Sequence, residues 1–91
     1  MTVQVHLPPL LRNLAGGERH MPASGTSIAE VMHDLVLRHP HLARHVYDDM
    51  GTLRPNIVFL HDSCLVRAGE AASHTVRDGD EIVLTNALSG G

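Results

Sequence analysis

Polar and apolar positions alternate over residues 2–7, with Val3, Val5 and Leu7 on one face and Gln4 and His6 on the other. That two-residue period predicts a half-buried strand. Pro8-Pro9 ends it, because neither proline can donate to a ladder. Residues 10–15 form an apolar stretch too short to establish a helix by periodicity, and Gly16-Gly17 supplies a turn. A second strand over residues 18–23, with Met21 facing inward, completes a hairpin with a long loop. Ser27-Ile28-Ala29-Glu30 then fits a capping box, in which Ser27 accepts from an early helical N–H and Glu30 reaches back. Ile28, Val31, Met32 and Leu35 follow at helical spacing as one apolar stripe, and Pro40 stops the helix near His39.

The second half is more broken. Residues 41–47 predict a short helical turn anchored by Leu42 and Val46, and residues 48–55 a loop. Residues 56–60 are apolar on both faces, as in a strand at mid-sheet, so the pattern alone does not choose the inner face. A turn at residues 61–63 leads into a short strand over 64–67, and residues 68–76 form a loop with Val76 tucked inward. Arg77-Asp78-Gly79-Asp80 is a turn by composition. The last strand covers 81–85, with Ile82 and Leu84 on one face and Val83 on the other. The order is β-β-α-β-β-β. In a chain too short for several βαβ units this predicts an α+β fold, a mixed sheet packed on one main helix, which is the ubiquitin-like β-grasp. The expected organisation is a domain over 1–85 followed by a flexible tail over 86–91.

Ninety-one residues suffice for one thin core, built here from Val, Leu, Ile and Ala because the chain has one Phe, one Tyr and no Trp. A formal charge of −3 gives no basic footprint, which argues against nucleic acid as a partner. No run of about 18 apolar residues exists and the start lacks the pattern of a signal peptide, so no membrane association and a cytoplasmic location are expected. The single Cys64 cannot form an internal disulfide and is read as a small strand residue. All seven formally basic residues are arginine. Of the eight histidines only His39, His41 and His45 are dense, and with Pro40 between them and no Cys or carboxylate in a ligand pattern they predict a solvated surface and no metal site.

The candidate chemistry lies in the tail. Ala87-Leu88-Ser89-Gly90-Gly91 is short and rich in small residues, and two glycines without Cβ atoms can thread a narrow cleft. Three stretches give this tail a context. Leu11-Arg12-Asn13-Leu14-Ala15-Gly16 follows the first strand, Thr26-Ser27-Ile28-Ala29-Glu30-Val31 opens the helix, and Val76-Arg77-Asp78-Gly79-Asp80-Glu81-Ile82 leads through a strand to Ser89-Gly90-Gly91. In this order they resemble the ubiquitin-like sulfur carriers, the family of the small subunit of molybdopterin synthase and of the thiamin-biosynthesis carrier. The proline-containing segment after the first strand is similar to carriers that serve cysteine synthesis.

The resemblance implies that Gly91 is the attachment point. An E1-like adenylating enzyme would spend ATP to form an acyl-adenylate there, and a sulfur donor would convert it to a thiocarboxylate. A downstream synthase would accept the sulfur for a cofactor, cysteine or a secondary metabolite. Leu88, Ser89 and Gly90 would be the recognised tail. No P-loop is present, so no cofactor is expected on this chain and ATP belongs to the partner. The chain is expected to be a co-substrate and not itself an enzyme, since no nucleophile, base and orienting group are arranged together. The family register would leave Ile57 and Phe59 beside Val83 on the open sheet face as a docking patch, with Arg12 available to an acidic group. The alternatives are a protein modifier conjugated through Gly91 and a non-catalytic histidine-rich binding module.

Overall fold

A computed structural model describes residues 2–86. The elements are β1 (Thr2–His6), α1 (Pro9–Leu14), β2 (His20–Ser24), α2 (Ile28–Arg38), a 3-10 turn (Pro40–Leu42), α3 (Ala43–Val46), β3 (Ile57–His61), β4 (Cys64–Arg67), a second 3-10 turn (Ala68–Glu70) and β5 (Glu81–Asn86). The strands form one sheet in the order β2-β1-β5-β3-β4, with β1 and β5 parallel and every other neighbour pair antiparallel. A mixed five-stranded sheet of this order with one main helix across it is the β-grasp architecture.

One face of the sheet carries α2. Val3, Val5 and Leu7 of the first strand segment, Met21 and Ala23 of β2, Ile57 and Phe59 of β3, and Ile82 and Leu84 of β5 are all buried on that side. Ile28, Val31, Met32 and Leu35 of α2 meet them, each fully buried. The stripe read from the helical period is therefore the core stripe. Leu42 and Val46 close the far edge of the core, as their spacing predicted.

The start of α2 is fixed by side chains and by a neighbouring loop. Ser27 Oγ accepts from Glu30 N at 3.2 Å, while the Glu30 carboxylate reaches one residue further back than a capping box requires, to the N–H and hydroxyl of Thr26, both at 2.8 Å. The N–H groups of Ile28 and Ala29 donate to the carbonyls of His74 and Ala71, so donors left free at a helix start are satisfied by the loop before β5. Gly25 lies beneath this first turn, where a Cβ would stand 2.7 Å from the Val31 nitrogen. No larger residue fits there without moving backbone.

Two elements depart from the pattern reading. Residues 9–14 are helical, started by Pro9 at the first helical position, where its missing N–H costs nothing. β3 extends to His61, which the pattern placed in a turn. The turn is only Asp62-Ser63, both with positive φ (51° and 65°), the backbone of a two-residue hairpin whose usual occupants are Asn and Gly.

Candidate functional site

β5 is the element that carries the candidate chemistry, because residues 87–91 follow it directly. Its first half pairs with β1, from Gln4↔Glu81 to His6↔Val83, and from Leu60↔Val83 onward only β3 accompanies it, to Ile57↔Asn86. Beside this last stretch runs a groove of about 170 Å³ lined by Pro8, Leu10, Leu11, Ile57, Leu84 and Thr85, together with His45 and Asn56. The chain thus leaves the sheet next to an apolar groove. Leu88, Ser89, Gly90 and Gly91, and the tail they form, lie outside the described residues.

The expected docking patch is corrected at two positions. Phe59 is fully buried and Ile57 is 5% exposed, both against the helix layer. The register is the reverse of the expected one, because the pairs Phe59↔Leu84 and Phe59↔Val66 put Phe59 in the same inward phase as two buried residues. The largest side chain of a core with one phenylalanine goes where most apolar surface can be covered. Val83 is on the open face as expected, 38% exposed, and pairs with Leu60, which pairs in turn with Leu65. Leu60 and Leu65 are 41% and 63% exposed. The open-face apolar row is therefore Leu65, Leu60 and Val83, with Val58 beside it.

Arg12 is also placed differently. Its Nε donates to the Leu7 carbonyl at 2.8 Å, tying α1 to the end of the first strand segment. The guanidinium is half-buried and serves the fold at this contact.

A polar network at the other end of β5 was missed in the pattern reading. His61 is 7% exposed and occupies the inward phase of β3 after Ile57 and Phe59. Its Nε2 lies 2.8 Å from Asp80 Oδ2 and its Nδ1 2.8 Å from His74 Nε2. A carboxylate only accepts, so His61 donates from Nε2 to Asp80, and with a single ring proton it accepts at Nδ1 from His74. The N–H of Arg77 and the His61 ring hold the Asp80 carboxyl below its ordinary range. Thr2 N donates to Asp78 Oδ1, Gly79 N donates to the Thr2 carbonyl, and Gly79 takes φ +88°, so the turn before β5 is fastened to β1 as well. The available signal was a histidine in core phase at the end of an apolar strand.

Among the described residues no helix is long and apolar enough to cross a membrane. Cys64 is an exposed strand residue.

This arrangement has close parallels. The chain is 28% identical over 94 residues to the sulfur carrier protein CysO of Mycobacterium tuberculosis, with all of both chains covered. It superposes on SAMP1 from Haloferax volcanii with a TM-score of 0.82 at 26% identity, covering 100% of both chains. It also superposes on a chain of the Amycolatopsis orientalis BexX/CysO complex with a TM-score of 0.81 at 28% identity, covering 98% of this chain and 99% of that one. A profile of the ThiS family matches residues 5–91, from the first strand through the final Gly-Gly, and the chain belongs to the ThiS family.

Proposed function

We propose that this protein is a sulfur carrier whose Gly91 carboxylate is activated and converted to a thiocarboxylate by partner proteins in the cytoplasm. The observation that carries the reading is Ser89-Gly90-Gly91, set five residues after the last described core residue of β5, Leu84, in a chain whose family match runs to Gly91.

A carboxylate resists attack by a nucleophile, so an E1-like enzyme first transfers AMP from ATP to Gly91 and releases pyrophosphate. A sulfur donor then displaces AMP, leaving the C–S bond of the thiocarboxylate. A downstream synthase takes up that sulfur for cysteine, a cofactor or a secondary metabolite. The similarity to carriers named CysO favours cysteine or a related recipient. The body contributes presentation. Pairing with β3 holds β5 as far as Asn86, beside the groove of Pro8, Leu10 and Leu11. Leu60, Leu65 and Val83 offer the adenylating enzyme an apolar docking row, and Leu88, Ser89 and Gly90 enter its cleft.

The test is incubation with an adenylating enzyme, ATP and a sulfur source, followed by intact-mass measurement. The expected product is heavier by the mass difference between sulfur and oxygen, and a variant lacking Gly91 gains nothing. Unchanged mass with the adenylating enzymes of the source organism would overturn the reading.

A second reading, conjugation of Gly91 to amines on other proteins, is favoured by the likeness to SAMP1, a small archaeal modifier protein in its Methanosarcina acetivorans form. Covalent conjugates that vanish on deletion of Gly91 would support it.

A further inference from the structure

The geometry points to a binding site for one divalent cation of the zinc, cobalt and nickel class, formed by His61, Asp62 and Asp80 at the start of β5, the end opposite Asn86. Among the described residues this is the group whose three ligand atoms lie within 4.8 Å of one another. It combines an imidazole nitrogen with two carboxylate oxygens, a donor set that suits those ions better than the all-oxygen shells of magnesium or calcium.

The two separations from His61 are close to what a metal needs. Ligand atoms about 2.0–2.1 Å from a tetrahedral ion stand roughly 3.3 Å from one another. His61 Nε2 is 3.6 Å from Asp62 Oδ2 and 2.8 Å from Asp80 Oδ2. The first separation already fits. The second is a hydrogen-bond length and opens by about 0.5 Å when the proton between the two atoms gives way to a cation. Two carboxylates facing one neutral imidazole supply a charge of −2 to offset the dication. Among the described residues no arginine comes within ion-pair distance of either carboxylate, although the more distant Arg77 guanidinium also favours the charged form of Asp80 and offsets part of that charge.

The surroundings also hold the ligands in place. His61 Nδ1 is fixed by His74, the kind of partner that orients a ligating ring. Asp80 is held by the N–H of Arg77, and Asp62 by the two-residue turn, with its side chain 80% exposed so that a fourth position can open to water. The proton count closes without a further acceptor. As the cation takes the Nε2 lone pair, His61 carries its proton on Nδ1 and donates to His74 Nε2, and His74 carries its own proton on Nδ1. The relay is a pair of rings that can switch tautomer together.

The experiment is titration of metal-free protein with cobalt(II) and zinc(II), read by calorimetry, by the visible absorption of cobalt and by the ring 15N shifts of His61. The expected result is uptake of one equivalent, with Nε2 of His61 changing environment while Nδ1 stays protonated. Asp62→Asn, at an exposed position outside the relay, should keep the melting temperature and weaken binding by about tenfold or more. The combined His39→Gln, His41→Gln and His45→Gln variant should bind as the parent does. Absence of saturable uptake, affinity unchanged by Asp62→Asn, or affinity lost in the triple variant would each overturn the site. None of these measurements involves Gly91, so the outcome is independent of sulfur loading.

Discussion

Phe59 and Leu60 are sequence neighbours in one strand, both large and apolar, yet Phe59 is fully buried and Leu60 is 41% exposed. The difference follows from the pleat, which sends successive side chains to opposite faces, and from a fold with one helix layer for two sheet faces. On the covered face every apolar residue has a partner within the core. On the other, Leu60, Leu65 and Val83 keep an apolar row in contact with solvent. Under the proposed function this row is where the adenylating enzyme would dock.

The comparison can be broken at either face. The largest effect is expected from Phe59→Ala, which leaves a cavity at the centre of the core and should cost about 3–5 kcal/mol in urea unfolding. Leu60→Ser should cost less than about 1 kcal/mol in the same measurement. Its effect should appear instead as about tenfold weaker binding to the adenylating enzyme, roughly 1.4 kcal/mol, read by titration. If Leu60→Ser destabilises the fold as much as Phe59→Ala, the two faces are not distinct. Ser27→Ala tests what keeps the helix layer on the covered face, because it removes the acceptor for Glu30 N. It should lower stability by about 1 kcal/mol by thermal or chemical melt, without changing partner affinity.

The smallest effect concerns acid. The Glu30 carboxyl is held below its ordinary value by the N–H and hydroxyl of Thr26, and Asp80 by the N–H of Arg77 and the His61 ring. A carboxyl depressed in the folded state adds stability that is complete above its unfolded pKa and is lost as pH falls through the folded one. Melting temperature should therefore decline below the ordinary carboxylate range, and Glu30→Gln and Asp80→Asn should each make that decline shallower.

Much of this fold is legible in the sequence, and the reasons are local. Val3, Val5 and Leu7 alternate against polar neighbours, so one face alone can be buried. Ser27 and the stripe beginning at Ile28 announce the helix, and Pro40 ends it. Ile82 and Leu84 identify the inner face of β5 in the same way. The residues expected to dock were less legible. Ile57 and Phe59 sit in a run with no polar position to break the symmetry, and an apolar-apolar strand reads equally well in either phase. Arg12 gave no sign that its Nε would be taken by the Leu7 carbonyl, since a backbone acceptor leaves no trace in residue type.

By itself, then, the chain determined its element order, its helix limits, its core stripe and the Gly-Gly segment that follows the last strand, because each depends on spacing within a few residues. Tertiary structure decided the phase of β3, since the choice between Phe59 and Leu60 rests on Leu84, Val66 and the α2 stripe, which are distant in sequence. It also decided that His61, Asp80 and His74 meet, for hydrogen bonds among residues 13 and 19 positions apart exist only once β3, β5 and the intervening loop are packed. Burial forced the outcome: a histidine carried into the core by the strand period must find polar partners there, and the turn before β5 provides them.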